Sequence, residues 1–200
     1  MLKNLIDRIR AATGLGQDPQ ATWKLDFTEP KTSAEAAADM LRAPTALMQL
    51  TEAQAHTVVK YMRPLIIPEG TVIFEEGDQD DTGYMLLLIG GEVTVETLIV
   101  SRQTPDTLSV LGPGSLIGEM ALFDGAARSA TCTATTLVRC AVLTREALED
   151  LTQNEPVVAA HLMTAIGQCL TERLRLSHEK VRLYSHLVRT MQKEIDSLIR

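Results

Sequence analysis

The sequence predicts an α+β fold, with a compact antiparallel β-sandwich or barrel between N-terminal helices and one long C-terminal helix. Three observations carry that expectation. Residues 65–114 form a series of short β-rich runs broken by "PEG", "EGDQDD", "IGG", "TPD" and "GPG", a turn signal about every ten residues. Ahead of them lie alanine-rich and amphipathic stretches. Behind them, Gln168 to Arg200 contains no Gly or Pro and carries a heptad pattern. The chain therefore divides into a helical extension and linker over 1–46, a β-barrel over 47–152 and a dimerisation helix over 153–200.

Taken in order, Leu2, Leu5, Ile6 and Ile9 recur at helical spacing, which predicts a short amphipathic helix over 2–12 packed on its own protein. Gly14 to Pro30, with Trp23, reads as a linker. "TSAEAAADMLR" has strong helix propensity, with Ser33 as its N-cap and Pro44 as its end. Thr51 caps "TEAQAHTVVKYMR", which Pro64 stops. "EVTVETLIV" opens with the strict alternation of a half-buried strand, and "SATCTATTLVRCAVL" supplies further strands. Thr144 caps "REALEDL", and Pro156 stands in the first turn of the last helix. Along it, Met163, Gly167, Leu170, Leu174, Ser177, Val181, Tyr184, Val188, Met191, Ile195 and Leu198 follow in alternating steps of four and three. That 3.5-residue period, held over about five heptads, is the signature of a left-handed coiled coil and predicts a homodimer through residues 163–198.

Composition narrows the function. The 200 residues are 45% hydrophobic with 4% aromatic, so the core is left to aliphatic side chains. A formal charge of −7 opposes a general affinity for nucleic acid, which needs Lys and Arg against phosphates. Cys132, Cys140 and Cys169 form no CxxC pair and read as small buried side chains rather than a disulfide or metal set. The N-terminus lacks a signal peptide, and no apolar run approaches the roughly 20 residues of a membrane span. A cytoplasmic protein is expected. The histidines His56, His161, His178 and His186 lie on expected helices, with no nucleophile–base constellation among them. No enzyme, catalytic residue or metal is expected.

The chemistry concentrates in "GSLIGEMALFDGAARSATCTA", Gly114 to Ala134. Gly118 permits a tight backbone and close approach of a ligand. "EMALFD" reads as a single helical turn. Arg128 offers a fork of donors suited to a phosphate or carboxylate. Glu119, ionised, only accepts hydrogen bonds and suits a pair of hydroxyls. Two readings stand at this point: an ion pair between Glu119 and Arg128, or a pocket for a molecule with one anionic and one diol-like end.

Gly118, Glu119, Met120, Ala121 and Leu122, followed by Arg128, Ser129 and Ala130, resemble the phosphate-binding cassette of cyclic-nucleotide-binding domains. "PEGTVIFEEGD" and "GGEVTV" resemble that family's first strands. The resemblance covers residues 47–185, and is closest to the bacterial catabolite-activator branch. It implies a jelly-roll β-barrel and a regulatory ligand, cAMP, with cGMP as the alternative. By that resemblance Glu119 accepts from the ribose 2′-hydroxyl, and Arg128 and Ser129 bind the cyclic phosphate with backbone N–H groups near Gly118. Leu108, Leu111 and Met120 occupy the positions of the apolar wall. "LRLSHEKV" resembles the segment that caps the purine, which places Ser177 and His178 near the base. Ala127 departs from the proline many members carry before the arginine.

The activator branch continues into a helix-turn-helix domain, and this sequence stops at Arg200 with the heptads running almost to its end. The expectation is therefore a dimeric cAMP sensor acting through an unidentified protein partner rather than through DNA. Two alternatives remain: a ligand-free dimerisation module, or the sensor part of a transcription factor.

Overall fold

The computed structural model describes residues 2–13, 30–44, 46, 49–98 and 105–198, leaving the side chains of 13, 30–33, 98, 105–108 and 198 outside that description. The expected linker, Trp23 included, and the side chain of Leu108 lie outside the described residues. Three helices come first: α1 (Lys3–Thr13), α2 (Pro30–Leu41) and α3 (Glu52–Lys60). Eight strands follow: β1 (Arg63–Ile67), β2 (Val72–Phe74), β3 (Tyr84–Gly90), β4 (Val93–Leu98), β5 (Pro105–Leu111), β6 (Leu116–Ile117), β7 (Thr131–Ala134) and β8 (Val138–Thr144). The short α4 (Glu119–Asp124) stands between β6 and β7, and α5 (Arg145–Asn154) and α6 (Pro156–Leu198) end the chain.

The strands form two antiparallel four-stranded sheets, ordered β1-β8-β3-β6 and β2-β7-β4-β5. The first sheet is buried on both faces. Met85, Leu87, Ala141 and Leu143 face a cluster built with α2, α3, α5 and the start of α6. Their neighbours Leu86, Leu88, Cys140 and Val142 face the second sheet. That two-sided burial explains why β3, "YMLLLIG", is a continuous apolar run, whereas β4 keeps its polar alternation because among its described side chains only Val93 is fully buried.

Local chemistry sets most of the boundaries. Thr51 accepts from the Gln54 amide while Gln54 returns a contact to the Thr51 backbone, a capping box that opens α3. The Thr144 hydroxyl accepts from the Ala147 amide at 3.2 Å and opens α5. Two expectations need correction. Helix α2 begins at Pro30 rather than after Ser33, because proline is well placed at a first helical position. Helix α3 ends at Lys60, and Pro64 lies inside β1. Strand β1 is an edge strand, where a missing backbone donor is tolerated.

Helix α1 packs on its own protein, with Leu2, Leu5 and Ile9 buried among side chains of both sheets. Helix α6 has 43 residues, about 64 Å at 1.5 Å per residue. Ala159, Leu162, Ala165 and Ile166 fasten its first turns to the body. From Leu174 to Ser197 every residue is exposed. Of the heptad positions, Leu170 packs against the body, while Val181, Tyr184, Val188 and Met191 are each about 60% exposed. Among the described residues no helix is long and apolar enough to cross a membrane.

Candidate functional site

The stretch from Gly114 to Ala134 walls a cavity of about 380 Å³, within the range of small-molecule sites. Its floor comes from Phe74 on β2, Val95 on β4, Leu111 on β5 and Cys132 on β7. Strand β6, helix α4 and residues 126–130 form one wall, and Arg173 of α6 closes a side.

Arg128 precedes β7 in a segment held by two backbone hydrogen bonds. Its N–H donates to the Asp78 carbonyl at 2.9 Å, and its carbonyl accepts from the Gly77 N–H at 2.8 Å. The side chain is 4% exposed. Its Nη1 donates to the carbonyls of Tyr84 (3.2 Å) and Gly118 (3.1 Å), and its Nη2 to those of Asp81 (2.7 Å) and Tyr84 (3.2 Å). The guanidinium carbon lies 3.8 Å from the Phe74 ring centroid and 4.7 Å from that of Tyr84. Burial pulls the guanidinium below its ordinary value, opposed chiefly by Tyr84 and Cys132. An arginine starts high enough to stay cationic.

Gly118 is required for two reasons. Its φ is +79°, and a Cβ there would meet Phe74 Cζ at 2.6 Å and Arg128 Nη1 at 2.7 Å. It therefore lets the carbonyl reach the guanidinium while the chain turns into α4.

Glu119 is also 4% exposed, and its partner comes from elsewhere. Arg173 Nη1 donates to Glu119 Oε1 at 2.5 Å, and Arg173 Nη2 donates to the Leu116 carbonyl at 2.9 Å. The ion-pair reading of Glu119 with Arg128 is thereby overturned: each charge has its own partners, and both line the same cavity. A buried acid and a buried base held apart can address two different groups of one ligand.

The remaining expected residues divide. Met120, Ser129 and Leu111 line the cavity; the Ser129 hydroxyl is exposed, 4.0 Å from the Met120 sulfur. Ser177 and His178 are exposed on α6 and are not among the cavity's lining residues. Leu108 is on β5, its side chain undescribed. Sequence reasoning missed Arg173 and Phe74. A signal for Arg173 existed: it continues the body-facing row Ala159, Leu162, Ile166, Leu170 by one more step and is the first cation on that row. Cys132 borders the cavity, but burial pushes its thiol up to about 12, so it is protonated and not nucleophilic.

A family profile described as "Cyclic nucleotide-binding domain" matches residues 65–155. The chain is similar to a CRP-like cAMP-activated global transcriptional regulator of Mycobacterium tuberculosis. The two are 28% identical over 137 residues, which is 66% of this chain and 58% of that protein. Among solved structures, a cyclic nucleotide-binding domain from Methylobacillus flagellatus superposes with a TM-score of 0.65 at 30% identity, over 74% of this chain and 82% of that one. The Catabolite Activator Protein of Thermus thermophilus gives a TM-score of 0.58 at 31% identity, over 68% and 61% of the two chains. The chain thus spans less than two thirds of the length of the curated M. tuberculosis relative.

Proposed function

The chain belongs to the cyclic nucleotide-binding domain family, and from that premise we propose that it is a dimeric cytoplasmic cAMP sensor acting through a protein partner. The observation that carries the reading is that Glu119 and Arg128, both buried and each held by other partners, line one cavity with an apolar floor. Arg128 and the Ser129 hydroxyl take the cyclic phosphate, the guanidinium exchanging its bonds to the Tyr84 and Gly118 carbonyls for phosphate oxygens. Glu119 accepts from the ribose 2′-hydroxyl and keeps one oxygen for Arg173. Leu111, Val95 and Met120 offer the apolar surface for the purine. No residue acts as a catalyst, and binding needs no metal.

Arg173 gives the ligand a route to α6. A sugar hydroxyl on Glu119 shares the acceptor that tethers the helix, so occupancy and helix position become linked. Ser177 stands one turn beyond Arg173 on the same side of α6, with His178 next to it. A small approach of the helix brings both toward the base. In this reading residues 1–46 are an extension, 47–152 the ligand module and 153–200 the dimer stem, joined to a second copy along residues 163–198. The M. tuberculosis relative supports cAMP by its name. The same pocket would equally serve as the sensor part of a longer transcriptional regulator; retention of duplex DNA by the product of the native reading frame decides that second reading.

Thermal shift with cAMP, cGMP and 5′-AMP tests the site. A ligand at 100 times its Kd stabilises by about 2.7 kcal/mol. A rise with cAMP that Glu119→Gln diminishes is expected; equal melting with all three nucleotides and with none overturns the assignment.

A further inference from the structure

Helix α1 is linked to Arg128 through one residue that lies outside the cassette pattern and outside the cavity lining. Asp81 has φ +56°, the only positive φ of a non-glycine among the described residues. It is held from both ends. Its carboxylate Oδ2 accepts from the Asn4 N–H in the first turn of α1 at 2.6 Å. Its carbonyl accepts from Arg128 Nη2 at 2.7 Å. The first turn of α1 has no acidic side chain of its own, so Asp81 supplies from 77 residues away the carboxylate that a helix N-terminus favours.

A second contact runs parallel to the first. Arg8 Nη1 donates to the Val72 carbonyl at 3.3 Å, and its Nη2 lies 3.0 Å from a Glu75 oxygen and 3.9 Å from one of Asp78. Asp78 is the residue whose carbonyl receives the Arg128 N–H. The apolar side of α1 joins the same cluster as Phe74 and Tyr84, the two rings beside the guanidinium. Residues 75–81 are therefore clamped, with α1 on one side and Arg128 on the other.

We infer that α1 is a positioning element for Arg128, acting through Asp81, so that docking of α1 and occupation of the cavity by a cyclic phosphate diester are thermodynamically coupled. A left-handed backbone at a non-glycine persists where its surroundings hold it. Here the surroundings are the end of α1 and the guanidinium. Orienting Arg128 in advance strengthens ligand binding, and by linkage a ligand that fixes Arg128 strengthens α1 docking by the same factor. The inference rests on the assignment of Arg128 to the ligand.

The test uses the full chain, with amide hydrogen exchange across α1 and calorimetric titration of cAMP. Asp81→Gly keeps the left-handed backbone and removes the carboxylate. Asp81→Asn keeps an acceptor and tolerates the conformation. Asp81→Gly is expected to speed exchange at α1 and weaken cAMP about 5-fold, the low end for coupled sites. Asp81→Asn should restore both to within about twofold. cAMP should slow α1 exchange in the wild type and not in Asp81→Gly. Protection confined to α4 and β7, with α1 indifferent to cAMP, overturns the coupling. Should cAMP protect nothing, the ligand assignment fails instead. Arg128→Lys without ligand then judges the clamp: faster exchange in α1 sustains it, and unchanged exchange overturns it.

Discussion

Replacing Arg128 by alanine removes a ligand group and a structural one together, and the two losses are separable. Without ligand, the guanidinium makes four contacts to the carbonyls of Asp81, Tyr84 and Gly118 and lies over Phe74. Hydrogen bonds to a charged donor contribute about 1.5–3 kcal/mol each. The cation's own desolvation, relieved in the variant, offsets part of that. A net loss of about 3 kcal/mol follows, which for a chain of this size lowers Tm by roughly 6–12 °C. Calorimetric melting without ligand reads this term. Affinity for cAMP, titrated well below the lowered Tm, should fall roughly 10- to 100-fold, the equivalent of one charge-assisted contact to phosphate. An unchanged Tm refutes the carbonyl cradle. An unchanged affinity in a folded variant refutes the ligand role. Arg128→Lys keeps the charge but not the fork, and should fall between wild type and alanine in both measurements.

Gly118→Ala places a Cβ 2.6 Å from Phe74 Cζ in a backbone with φ +79°, so a Tm lowered by the equivalent of about 1–3 kcal/mol and weaker cAMP binding are expected. A variant with wild-type melting would show that the turn into α4 is not constrained. Val181→Glu combined with Val188→Glu alters side chains that are 58% and 65% exposed. It should halve the mass seen by light scattering and leave cAMP affinity close to wild type; a retained dimer moves the seam elsewhere. The Cys132 thiol, raised by burial to about 12 from 9.0, predicts a pH slope. Above about pH 9 the unfolded chain gives up that proton first, so stability falls as pH rises, by up to about 1.4 kcal/mol per pH unit for one group. Cys140 and Tyr84, also raised by burial, add to the slope in the same direction. Cys132→Ala should reduce the slope between pH 9 and 11 in pH-dependent melting, leaving the part due to Cys140 and Tyr84, and an identical slope would refute the protonated, buried thiol.

The elements legible in the sequence are those whose cause is local. Thr51 and Thr144 open helices because their hydroxyls reach amides three residues on. The turn residues divide the strands, and the heptads mark α6, because backbone freedom and side-chain periodicity act over a few residues. The cassette at Gly118–Ala130 was readable for the same reason: its glycine, acid and arginine lie within one short stretch. What the cassette does with its charges was decided by packing. Whether Glu119 meets Arg128 or Arg173 depends on how α6 crosses β6, 54 residues further along the chain, and no local pattern encodes that distance. The carbonyls around Arg128 come from β3, the 75–81 segment and the turn at Gly118, and they converge only once the two sheets have stacked. The apolar run of β3 shows the same limit, since burial on both faces erases the alternation that would identify a strand. Sequence alone thus settled the strand-rich body, the starts of α3 and α5 and the charged pair to watch. The tertiary structure settled the partners of each charge, because burying an ion selects whichever opposite charge or carbonyl the fold brings within reach.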